Sequence, residues 1–230
     1  MKKTIILAAL LMALTAMPAS AQGFSAAVAT EQTDQPGATS GQSDDIFFEI
    51  SDPLYEWSEI DSKLAKVQLT SNGLLLESKT DNGVAFSIAE LPINLEENSA
   101  FVFGAIFTGV KLNEKKMVGL IFDYEDGRNY KGIAVSKKQF EYFVVKDGVS
   151  TPVKTGLVKM KGDILALYMA RHDGKVEFYL NDLEICTVKR ISITSPMFGV
   201  FVQGKMKAMV PKFMMNSFVP EETEQSTTDN

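Results

Sequence analysis

Gly119-Leu120-Ile121-Phe122-Asp123-Tyr124-Glu125-Asp126-Gly127-Arg128-Asn129-Tyr130-Lys131-Gly132-Ile133 reads as two strands joined by a tight turn. Aromatic and β-branched residues lie on both sides of Asp126-Gly127, a dipeptide that supplies the positive φ values short hairpins use. Beyond the turn, alternation sets Ile133 and Val135 on one face and Tyr130, Gly132 and Ala134 on the other. Asp123 and Glu125, at i and i+2, are expected to share a face.

The same period of two extends in both directions. Strands are predicted at Ala65–Thr70, Leu74–Ser78, Val84–Ile88, Ala100–Val110, Met117–Tyr124, Tyr130–Ser136, Gln139–Lys146, Ser150–Lys154, Ile164–Arg171, Lys175–Leu180, Leu183–Lys189, Met197–Gln203 and Ala208–Phe218. Turn residues separate them, among them Ser71-Asn72-Gly73, Asp81-Asn82-Gly83, Lys146-Asp147-Gly148, His172-Asp173-Gly174 and Leu180-Asn181-Asp182. After the first residues of the chain, no segment sustains apolar residues at i, i+3, i+4, i+7. One open sheet of so many twisted strands would leave a face unburied, so the expectation is all-β, a two-sheet antiparallel jelly-roll sandwich.

The ends differ in composition from this body. Lys2 and Lys3 precede the apolar run Ile5–Ala16, and the small-residue site Ala19-Ser20-Ala21 follows, which is the pattern of an export signal cleaved after Ala21. The apolar run is shorter than the roughly 20 residues that span a bilayer, so no membrane span is expected. Residues 22–45 and 221–230 are polar and poor in bulky apolar side chains, and read as flexible tails flanking a folded body at 46–220. The expected location is periplasmic or extracellular.

Charge and rare residues narrow the chemistry. A formal net charge of −6 offers no basic footprint for nucleic acid. With 1 Cys and 1 His the chain has no internal disulfide framework and no Cys/His zinc set. Cys186 reads as a small buried hydrophobe and His172 as an exposed turn residue, and no phosphate-binding loop occurs. Three tyrosines stand among small or polar residues on the outward sides of their strands: Tyr130, Tyr168 and Tyr179. A flat ring with a hydroxyl can stack on a sugar face while bonding its substituents, and a half-exposed tyrosine is equally a good strand residue. Asp123 and Glu125, with Asp126, form the densest acidic group, compatible with a carboxylate pair, a calcium site or plain turn chemistry.

The 119–133 hairpin resembles the "G-apolar-x-F-x-Y-x-D-x-x-N-Y-x-x-apolar" hairpin of the concanavalin A-like lectin/glucanase superfamily. It is especially similar to the laminin-G-like and glucanase-like domains of exported bacterial proteins, including those named for 3-keto-disaccharide hydrolase activity. Trp57, the segment Arg171–Asp182, Phe198-Gly199-Val200 and Met215-Asn216-Ser217-Phe218 follow in the order of that family. The closing strand has Asn216 where the family more often has Asp, and Asp182 stands where Gly is common.

The resemblance implies a sandwich that binds carbohydrate. Glucanases of the superfamily carry E-x-D-x-x-E on one strand, which places alternate acids on one face. Glu59-Ile60-Asp61 begins that pattern, but Leu64 stands where the last Glu is required. The expectation is therefore an exported, non-catalytic carbohydrate-binding module with Tyr130, Tyr168, Tyr179, Asp123 and Glu125 at the ligand and no cofactor assigned, calcium remaining open. A glycoside hydrolase with dispersed acids and a structural module with a protein partner at the cell envelope are the alternatives.

Overall fold

The computed structural model describes residues 47–218 except 53, 97–98 and 161. The predicted signal (1–21), both tails and the outer limits of the 46–220 body lie outside the described residues.

The strands are β1 (Phe47–Glu49), β2 (Ile60–Asp61), β3 (Ala65–Thr70), β4 (Gly73–Ser78), β5 (Val84–Glu90), β6 (Ala100–Thr108), β7 (Met117–Asp126), β8 (Asn129–Val135), β9 (Gln139–Lys146), β10 (Val149–Leu157), β11 (Leu165–His172), β12 (Lys175–Leu180), β13 (Leu183–Lys189), β14 (Met197–Gln203) and β15 (Met206–Phe218). They form two antiparallel sheets. The 9-stranded sheet runs β13-β12-β11-β6-β15-β4-β3-β2 with β1 also on β15, and the 6-stranded sheet runs β10-β9-β8-β7-β14-β5. The predicted strands all appear. Two short edge strands, β1 and β2, are additional, and at two or three residues they are too brief to show a period.

Local turn chemistry explains the meanders. Asp147 and Gly148 take φ of 53° and 81°, and Asp173 and Gly174 take 50° and 68°, the pair of left-handed residues a two-residue hairpin needs. Asn181 and Asp182 do the same at 45° and 68° without a glycine. Asp126-Gly127 departs from expectation. Neither residue has positive φ, and the Asp126 carboxylate instead accepts the Arg128 N–H at 2.7 Å, making an Asx turn. The left-handed residue in this hairpin is Asp123, with φ of 50°.

Between the sheets lies one continuous apolar core. β6 sends in Phe101, Phe103 and Phe107, β7 Val118, Leu120 and Phe122, and β12 Val176, Phe178 and Leu180. Phe103 and Phe198 meet edge to face across the sheets at 5.0 Å. Each such ring, fully buried, contributes roughly 1.5–3 kcal/mol. Trp57 closes one end with its ring 5.5 Å from Phe213. Cys186 is buried and free. No helix of the described residues is long and apolar enough to cross a membrane.

Candidate functional site

The outward side of a sandwich sheet is ordinarily polar. The outward side of the 6-stranded sheet here carries a second apolar cluster of Ile88, Ile121, Ala134, Phe143, Val145 and Phe201, with Tyr124 and Tyr130 packed against it. Strand register lays these side chains out in rows. One row crosses Phe86, Phe201, Gly119, Ala134, Glu141 and Thr155; the next crosses Ile88, Gly199, Ile121, Gly132, Phe143 and Pro152. Phe86, Phe201, Ala134 and Glu141 of the first row and Ile121 and Phe143 of the second line a groove of about 430 Å³, within the range of small-molecule sites.

Two glycines give the floor its shape. A Cβ on Gly132 would come within 2.5 Å of the Phe143 ring, and one on Gly119 would run into the Phe201 ring. Each ring therefore reaches across to the glycine of the neighbouring strand, and the two meet edge to face at 83° with centroids 6.2 Å apart. Tyr130 stands edge-on to Phe143 at 6.2 Å, and Tyr124 sits 6.0 Å from Tyr130 and 6.4 Å from Phe86. Among the described residues neither tyrosine hydroxyl has a hydrogen-bond partner. Burial, then the neighbouring Tyr124, raises the Tyr130 phenol, which stays a neutral donor and acceptor. Glu141, Gln203 and Ser150 supply the other polar groups of the lining.

The wall that carries Tyr124 depends on a bulge. On β7, Val118, Leu120 and Phe122 point into the core, so continued alternation would turn Tyr124 inward. The register shifts between Phe122 and Asp126, Asp123 adopts positive φ, and Tyr124 emerges on the groove side. Asp123 does not share a face with Glu125. Its carboxylate is buried, accepting the N–H groups of Thr194 (2.7 Å) and Ser195 (3.0 Å) and the Thr194 hydroxyl (3.2 Å), and it pairs with the Lys131 ammonium. Burial would raise its pKa, yet Lys131, Thr194 and Ser195 hold it below the ordinary carboxylate range. Glu125 is exposed. Each hydrogen-bond partner of Asp123 among the described residues is a donor, and the Lys131 ammonium would repel a cation there. Ser195 adds a hydroxyl bond to the Tyr124 carbonyl at 2.6 Å, so the β13–β14 connection clamps the wall from behind.

Tyr168 and Tyr179 lie on the other sheet. They stack at 4.9 Å with ring planes 8° apart on the outward side of β11 and β12. The structure thus brings Tyr130 together with Tyr124, Phe143 and Phe201, and separates it from this pair by the whole sandwich. Tyr179 donates to Glu177 at 2.7 Å, and Tyr168 to Asp182 at 3.5 Å. Glu177 also binds Lys175 at 2.5 Å and His172 at 2.8 Å. Burial acts to raise the Glu177 pKa, but the bonds from Lys175, His172 and Tyr179 outweigh it and bring it to about 2. His172 is not the exposed turn residue expected. Its side chain is 12% exposed because Glu177, five residues on, reaches back across the hairpin.

Sequence reading missed Phe143, Phe201 and Glu141. Gln139–Lys146 is apolar on both faces, so alternation alone could not assign Phe143. The usable signal was a glycine in the strand interior directly across from each ring: Gly132 from Phe143 and Gly119 from Phe201. A second hollow, about 250 Å³ beside Glu59, Asp61 and Lys66, has no aromatic ring among its lining residues.

No family model and no curated protein sequence matches the chain. Solved structures do share its fold. A carbohydrate-binding module, CBM66, from Bacillus subtilis superposes with TM-score 0.53 at 13% identity, over 71% of this chain and 95% of its own. The Bacillus licheniformis β-glucanase gives TM-score 0.52 at 9% identity, over 74% and 96%. The carbohydrate recognition domain of Emp47p gives 0.54 at 12%, over 80% and 100%. At such identities the likeness speaks for architecture. With two antiparallel sheets, no helix among the described residues and these neighbours, the chain has the concanavalin A-like lectin/glucanase fold.

Proposed function

We propose that this protein is an exported, non-catalytic carbohydrate-binding module whose ligand lies in the outward groove of the 6-stranded sheet. The observation that carries this reading is the floor itself: Phe143 and Phe201 packed over glycines and set at 83° to each other, with the free hydroxyls of Tyr124 and Tyr130 beside them. A pyranose presents an apolar C–H face to such rings and directs its hydroxyls at the tyrosines, Gln203 and Glu141. The architecture shared with carbohydrate-binding neighbours supports the ligand class, and the Lys2–Ala21 pattern supports export.

A glycosidase requires two carboxyls flanking the scissile bond. Among the described lining residues of the groove, Glu141 is the one carboxylate, which favours binding over hydrolysis. The test is a glycan array with the chain from residue 22 onward, with and without calcium, followed by product analysis of every bound glycan. Binding without cleavage is the expected result. Silence across the array would remove the carbohydrate reading, and shortened products would remove the non-catalytic one.

A further inference from the structure

The groove is apolar except for a few neutral polar groups and one charge. Glu141 sits on its floor between Ala134 and Thr155 in one strand-crossing row, two residues from Phe143 on the same face of β9. It makes no ion pair or hydrogen bond among the described residues, and no Lys or Arg is among the described residues lining the groove. A carboxylate over an apolar floor is less screened than one in open water, so its charge acts on whatever occupies the groove.

Resting on the proposal that this groove is a carbohydrate site, we infer that it selects by charge: it takes a glycan bearing free amines, a hexosamine oligomer, in preference to its N-acetylated form, and rejects uronic acid oligomers. Glu141 is the specificity-determining residue. A protonated amine on a sugar ring packed at Phe143 can form a charge-assisted hydrogen bond to it, whereas a uronate carboxylate in the same place meets like charge.

The net charge of −6 attracts any polycation weakly, so the experiment separates the local from the global effect. Calorimetric titrations in 0.15 M salt, where the screening length is about 8 Å, compare a glucosamine oligomer, its N-acetylated counterpart and an oligogalacturonate of equal length, for the native chain and for Glu141→Gln. The native chain is expected to bind the free-amine oligomer about tenfold tighter than the N-acetylated one, the value of one charge-assisted hydrogen bond, and the uronate weakest. Glu141→Gln is expected to erase the preference for the amine by lowering the free-amine affinity to that of the N-acetylated oligomer, and a circular dichroism spectrum and melting temperature matching the native chain report an intact fold. Equal affinities in the native chain, or a preference that survives in Glu141→Gln, would overturn the charge selection alone. Failure of all three oligomers to bind would overturn it together with the carbohydrate reading.

Discussion

The two outward faces of the sandwich use similar residues to opposite ends. On the 9-stranded sheet, Tyr168 and Tyr179 stack on each other, and their hydroxyls are engaged by Asp182 and Glu177. On the 6-stranded sheet, Tyr124 and Tyr130 edge a floor of Phe143 and Phe201, and no described protein group takes up their hydroxyls. A tyrosine among small residues looks the same in both sequences. Whether it can serve a ligand is decided by what its neighbours have already bonded, and that depends on strand partners distant in the chain.

Changes that separate the two faces follow in order of size. Asp123→Ala leaves Lys131 and three donors around Thr194 and Ser195 without their shared acceptor. Denaturant titration is expected to show a loss of about 3 kcal/mol, as for breaking a buried ion pair from one side. A loss below about 1 kcal/mol, as for an exposed pair, would mean the clamp behind Tyr124 is solvated.

Gly132→Val drives a side chain into the Phe143 ring. Its expected cost is about 1–3 kcal/mol of overpacking, together with loss of whatever ligand the native groove binds. Retained affinity would place the ligand elsewhere, the 9-stranded sheet included.

The pH response belongs to the other face. Glu177 has a folded pKa brought from an ordinary 4.5 down to about 2, so the stability it contributes is present above about pH 4.5 and is lost as pH falls toward 2. Acid titration of Glu177→Gln is expected to lack this part of the decline. A variant with the native acid profile would show that Glu177 is not the group responsible. Smallest is Tyr179→Phe, which removes the 2.7 Å bond to Glu177 and is expected to cost about 1 kcal/mol by thermal denaturation.

These contrasts also mark how far the sequence could be read. The face assigned by alternation in β8 holds, since Ile133 and Val135 enter the core, and Tyr168 and Tyr179 do stand outward on β11 and β12, whose Leu167, Met169, Val176 and Phe178 point inward. A period of two is a local property, and these strands are regular. It fails where the chain spends extra residues. The bulge at Asp123 breaks the Asp123–Glu125 face and turns Tyr124 outward, and nothing in the local composition announces a positive φ at an aspartate in mid-strand. The partition of Tyr130 from Tyr168 and Tyr179 was equally hidden, because hairpin signals fix neighbouring strands and leave open which of two sheets a meander joins. His172 and Glu177 meet only because their hairpin turns at Asp173-Gly174, so the turn was legible while the contact across it was not.

The central claim is that the groove side, and not the Tyr168–Tyr179 side, meets the ligand. The most direct measurement is the affinity of one array-positive oligosaccharide for Tyr130→Ala and Tyr179→Ala, read by calorimetry against the native chain. The account predicts that Tyr130→Ala weakens binding by about tenfold or more, as for an aromatic contact residue, while Tyr179→Ala stays within about twofold of native, as for a residue outside the contact. Binding lost in Tyr179→Ala and kept in Tyr130→Ala would contradict it.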